Sequence, residues 1–157
     1  MIKINIPGYK NLEIENVVFD YNGTIADDGI LIKEVEKFIY DLVKEEIRIY
    51  ILTADTNGSV RQQCGHLPVK IEVFEEENAT EYKKKAIERI GADNTVSIGN
   101  GRNDIEMFKV SILSIGIIGK EGSYLKSLLE ADIVTTNIVD AIDLILKPHR
   151  LKATLRS

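Results

Sequence analysis

The chain has 157 residues, 29% of them charged, with a formal net charge of −5. That length suits one domain burying about two thirds of its unfolded surface. The acidic excess is spread rather than blocked, which argues against a nucleic-acid partner, and Cys64, the single cysteine, excludes an internal disulfide framework.

Ile2, Ile4 and Ile6 alternate ahead of Pro7-Gly8, and Leu12 and Ile14 alternate behind it, so residues 1–15 read as an N-terminal β-hairpin edging a sheet. A signal peptide carries a continuous apolar stretch instead. No apolar run approaches the roughly 18 residues of a membrane helix. With a lone thiol, a cytoplasmic location and no membrane partner are expected.

Val17, Val18 and Phe19 read as a buried strand, and the apolar positions from Ile30 to Val43 recur at helical spacing through about residue 45. The alternation then continues with strands over 47–52, 69–74, 96–98, 112–118 and 133–135. Helices are predicted over 59–64, 80–90, 104–110, 123–130 and 138–146. Pro148 ends the last helix and residues 147–157 form a basic C-terminal tail. Such alternation predicts an α/β fold in three layers, a mainly parallel, Rossmann-like sheet with helices on both faces. No repeat, low-complexity stretch or linker interrupts residues 1–157, which read as one domain.

In open parallel sheets ligands sit outside the carboxyl ends of the strands, and Asp20, Thr53 and Asn100 fall there. Asp20 in Val17-Val18-Phe19-Asp20-Tyr21-Asn22-Gly23-Thr24 is delivered onto a glycine turn. Asp, Asn and Gly are also ordinary turn formers, and for Asp20 alone an Asx turn is as good an account. The same turn can present backbone amides to phosphate oxygens while the carboxylate attacks phosphorus to give an aspartyl-phosphate.

Thr53 ends an apolar strand, where threonine is favoured anyway. At the mouth of a parallel sheet its hydroxyl and the Ala54 amide can donate to a transferring phosphoryl group. Of Lys83, Lys84 and Lys85, most of the run reads as a solvated helix face. Lys83 lies beside the apolar stripe and is the first candidate to neutralise aspartate and phosphate, with Lys84 second.

The loop Gly99-Asn100-Gly101-Arg102-Asn103-Asp104 lacks the third glycine of a dinucleotide fingerprint. Its amide oxygens and carboxylate suit Mg2+, a hard ion that takes oxygen ligands. His66 and His149 lack metal-ligand spacing and read as surface residues.

The ordered set DYNGT, ILTAD, Lys83 and GNGRND resembles the haloacid dehalogenase superfamily, over residues 16 to about 147. Within it the chain is similar to soluble proteins that look like the phosphorylation domain of P-type ATPases. The resemblance implies catalytic Asp20, Asn22, Thr53 and Lys83, with Asp20 as phosphorylated nucleophile. It implies phosphate binding by Gly23, Thr24, Ala54 and Asn103, and Mg2+ held by Asp20, the Asn22 carbonyl, Asn100 and Asp104. Residues 25–46 hold only one helix and residues 57–79 are too few for a domain, so no cap is expected. Selectivity is then expected from a partner, an oligomer or a large substrate, and self-association is expected through the hairpin or the basic tail.

Two departures matter. Asn22 stands where phosphatases of the superfamily have an acidic residue, and loss of a general acid or base removes about 10²- to 10⁴-fold of rate. P-type ATPases have threonine there, and their phosphoenzyme persists. Asn100 replaces a metal-binding aspartate, and a unit charge at about 4 Å is worth roughly 4 kcal/mol at an effective dielectric near 20. The leading expectation is a Mg2+-dependent phosphohydrolase or phosphotransferase acting on a phosphorylated small molecule, ATP or a phosphoprotein. The alternative is a regulatory or phosphate-sensing module. A receiver-like switch fits less well, because Asp20 ends the first core strand.

Overall fold

Strand β3 (Asn16–Asp20) is buried at every position, because it is flanked on both edges and covered on both faces. Alternate side chains divide between the faces: Val17 and Phe19 join one apolar cluster and Val18 the other. The computed structural model describes residues 1–54 and 58–157.

The chain opens with β1 (Ile2–Asn5) and β2 (Asn11–Ile14), then β3. A small antiparallel pair follows, β4 (Ala26–Asp27) and β5 (Ile30–Leu31), then α1 (Lys33–Lys44) and β6 (Arg48–Thr53). Next come α2 (Ser59–Cys64), β7 (Lys70–Val73), α3 (Ala79–Ile90), β8 (Thr95–Gly99), α4 (Ile105–Val110) and β9 (Leu113–Ile117). The rest is α5 (Leu125–Glu130), β10 (Ile133–Thr135), α6 (Ile138–Leu146) and α7 (Pro148–Leu155).

Six strands form one parallel sheet in the order β10-β9-β8-β3-β6-β7. Helices α1 and α6 cover one face through Val35, Ile39, Leu42, Ala141, Ile142 and Ile145. Helices α3 and α4 cover the other through Ala86, Ile87, Met107 and Phe108. The three-layer α/β fold is therefore as the residue pattern predicts, and no cap domain occurs among the described residues.

Three local expectations are corrected. The hairpin β1–β2 makes its own two-stranded sheet, apolar side inward, and leaves both edges of the main sheet to β7 and β10. The helical stretch from Ile30 begins only at Lys33, since Ile30–Leu31 pairs with Ala26–Asp27 and Ile30 is exposed. The basic tail is helix α7, started by Pro148 in its first turn, a position that needs no N–H donor. Leu151 is fully buried there.

Candidate active site

The chain leaves β3 for β6 and β7 on one side, then crosses to β8 on the other, so the sheet's switch point lies between β3 and β8. Crevices form at such points. Register aligns Asp20 with Leu52 and Phe19 with Ile98, which puts Thr53 on one flank of Asp20 and Asn100 on the other. An open cavity of about 710 Å³ lies above them, with Asp20, Asn22, Thr53, Ala54, Asn100 and Asn103 in its wall. Asp55, the last residue of the ILTAD tract, lies outside the described residues.

Lys83 enters from α3 and is fully buried. Its ammonium donates to Asp20 Oδ1 at 2.7 Å, to Asp104 Oδ1 at 2.7 Å and to Asn103 Oδ1 at 2.8 Å. All three donors are used, so the lysine is fixed as a clamp rather than a mobile charge. Burial acts to lower its pKa, yet Asp104 and Asp20 outweigh burial and hold it above its ordinary value. Lys84 is half-buried and Lys85 pairs with Glu81 on the outer surface.

Burial pushes the Asp20 carboxyl up to about 6; Asp104 adds to the rise, while Lys83 and Thr24 oppose it. Two carboxylates share one ammonium, so the triad keeps one uncompensated negative charge.

Asp104 is wholly buried. Beyond Lys83, its Oδ2 accepts from the amides of Asn100 at 3.0 Å and Gly101 at 2.9 Å. Both oxygens are engaged by protein donors, so this carboxylate anchors lysine and loop and is turned from the cavity. A Cβ on Gly99 would collide with it. The sequence does not reveal this division between a lining and an anchoring acid.

The turn after Asp20 also differs from expectation. Gly23 donates its amide to the Ala26 carbonyl at 2.8 Å and Thr24 donates to Tyr21 at 3.2 Å, so neither amide is left to cradle phosphate. Thr24 is buried, and its hydroxyl lies 3.2 Å from Asp20 Oδ2 and 3.1 Å from Asn100 Oδ1. Gly23 has φ 77°, and a Cβ there would meet the Asn100 amide. Asn22 is exposed at the cavity wall.

Asn100 donates Nδ2 to the Gly122 carbonyl at 3.1 Å, which directs its Oδ1 toward Thr24 and Asp20. One hydroxyl proton cannot satisfy two acceptor oxygens. The converging Asp20 and Asn100 oxygens therefore fit a hard divalent cation. Among the described residues no cluster of three or more His, Cys, Asp or Glu forms a metal site. The candidate set is thus one carboxylate and neutral oxygens.

Residues not foreseen from sequence also line the cavity: Glu76, Glu77 and Thr80 before and at the start of α3, and Arg102 in the loop after β8. The signal available was the acidic run ahead of a helix.

No family model matches the chain. An uncharacterized protein of Methanocaldococcus jannaschii is 44% identical over 78 residues, 47% of this chain and 84% of that protein. A soluble P-type ATPase-like phosphatase of the same organism is 25% identical over 135 residues, 85% of this chain, and this chain spans 50% of that protein's length. A HAD family hydrolase from Streptomyces avermitilis superposes with a TM-score of 0.66 at 22% identity, over 86% of this chain and 84% of that one. The 3-deoxy-D-manno-octulosonate 8-phosphate phosphatase of Moraxella catarrhalis, in complex with magnesium, phosphate and KDO, gives 0.72 at 14% identity, over 91% and 94%. Among the described residues no helix is long and apolar enough to cross a membrane. The strand order and these superpositions give the chain the fold of haloacid dehalogenase family hydrolases.

Proposed function

We propose that the chain is a phosphohydrolase or phosphotransferase that forms an aspartyl-phosphate on Asp20 and acts on a phosphorylated small molecule. One observation carries this reading: Asp20 lines an open cavity while Lys83 clamps one of its oxygens at 2.7 Å. The phosphatase names of the relatives support it.

In the first step a carboxylate oxygen of Asp20 attacks phosphorus and the bond to the leaving oxygen breaks. The electron pair stays on that oxygen, which takes its proton from water, because the Asn22 amide is no acid. In the second step water attacks phosphorus, the acyl phosphate bond breaks, and phosphate and the free carboxylate result. Thr53, Ala54 and Asn103 line the cavity and are the contacts proposed for the transferred group. The Asn103 oxygen is held by Lys83, which leaves its Nδ2 as a donor.

Mg2+ is the proposed cofactor, held by Asp20, the Asn22 carbonyl and Asn100. When bound it supplies neutralisation of phosphate charge. Asp104 keeps Lys83 and the Asn100–Gly101 amides in place.

The test is hydrolysis of an aryl phosphate with Mg2+. Turnover is expected in wild type and absent in Asp20→Asn; turnover at the wild-type rate in that variant would remove the mechanism.

Asn22 and Asn100 together favour a second reading, a phosphate-sensing regulatory module. Under it wild type is silent, and Asn22→Asp with Asn100→Asp restores nothing. Self-association belongs to the leading reading, supported by the exposed apolar residues Leu125 and Leu129 on α5.

A further inference from the structure

We infer that the cavity selects phosphate monoesters whose organic body carries a positive charge, an inference that takes its phosphate end from the phosphohydrolase reading. The cavity, about 710 Å³, falls within the ordinary range of small-molecule sites. It has room for a phosphate and an attached body.

Its lining carries charges of both signs on different segments. Glu76 and Glu77 come from the 3-10 turn Glu76–Asn78 that follows edge strand β7, and Arg102 comes from the loop after β8 that also carries Asn100 and Asn103. Glu76, Glu77 and Arg102 are exposed, and none has an ion-pair partner among the described residues. Arg102 thus adds positive charge on the phosphate-handling loop. The two carboxylates face whatever extends from the phosphate toward α3.

A ligand with a dianionic phosphate at one end and an ammonium at the other matches this polarity. A nucleoside triphosphate would place further negative charge against the glutamates. Exposed ion pairs are individually weak, so the combined preference for an ammonium over a neutral body is on the order of tenfold. It weakens as salt rises.

Acidic residues ahead of a helix also favour its N-terminus electrostatically, and Glu76 and Glu77 precede α3. The deciding readout is therefore one that helix stability does not move: preference among ligands differing only in charge.

The experiment is calorimetric binding of 2-aminoethyl phosphate, ethyl phosphate and 2-phosphoglycolate to full-length Asp20→Asn protein with Mg2+. Ammonium should bind tighter than neutral by about tenfold, and neutral tighter than carboxylate. Adding Glu76→Gln and Glu77→Gln should bring the ammonium-to-neutral ratio close to one. Equal binding of the three, absence of binding by all, or a preference surviving the glutamine substitutions would overturn the inference. The preference without wild-type turnover would sink the hydrolase reading alone, and turnover without the preference would sink the charge selection alone.

Discussion

The most informative group at the residue scale is Asp20, a carboxyl buried beside a second carboxylate with one lysine between them. Burial, then Asp104, raise it from 3.8 to about 6 despite Lys83. In metal-free protein the folded form therefore holds a proton that the unfolded chain has lost between those values. That contribution to stability is fully present below about 3.8 and disappears as pH rises through about 6. Asparagine at this position cannot titrate. In chelator, denaturant unfolding should show Asp20→Asn gaining on wild type from pH 4 to pH 7; a difference flat in pH would contradict the account. Residue identity made Asp20 and Lys83 visible as candidates because few residue types carry this chemistry. The engagement of both Asp104 oxygens was not visible, since it depends on the loop folding back under Gly99.

At the element scale, α7 and α5 show where periodicity informs and where it stops. The segment after Pro148 is basic, and with Leu151 and Leu155 as its apolar positions its helix is short of the usual apolar stripe. Docking of Leu151 into the core makes it an element. In the hairpin, a candidate contact for self-association, Ile2, Ile4, Leu12 and Ile14 turn inward while Met1 and Tyr9 are exposed, and in α7 Leu151 is buried. Among the described residues the most exposed large apolar side chains are on α5, Leu125 (67%) and Leu129 (75%), with Val134 (43%) on edge strand β10. Leu125 and Leu129 are one turn apart on one face. Lys126 and Glu130 flank them with opposite charges, which suits an antiparallel second copy. Sedimentation velocity at micromolar concentration should show a dimer that Leu129→Lys converts to monomer; a strict monomer in both would remove the contact.

At the scale of the whole molecule, strand and helix alternation was enough to specify a parallel sheet, since buried parallel strands leave few other arrangements, and a cavity lies at its carboxyl edge. What the alternation does not contain is strand order, and strand order brings Asp20 and Asn100 together across the β3–β8 switch point. The hydrogen bonds within the Tyr21–Ala26 turn were equally hidden, because local carbonyls and a phosphate compete for the same amide donors. The resulting site has a clamped carboxylate and no acidic side chain at position 22, so the phosphoenzyme proposed for it should break down slowly. The direct measurement is intact-mass and peptide mass spectrometry of protein quenched after mixing with Mg2+ and acetyl phosphate. The account predicts one hydroxylamine-labile phosphoryl group on Asp20, which decays faster in Asn22→Asp; a phosphoryl group on any other residue, or none on Asp20 in either protein, would contradict it.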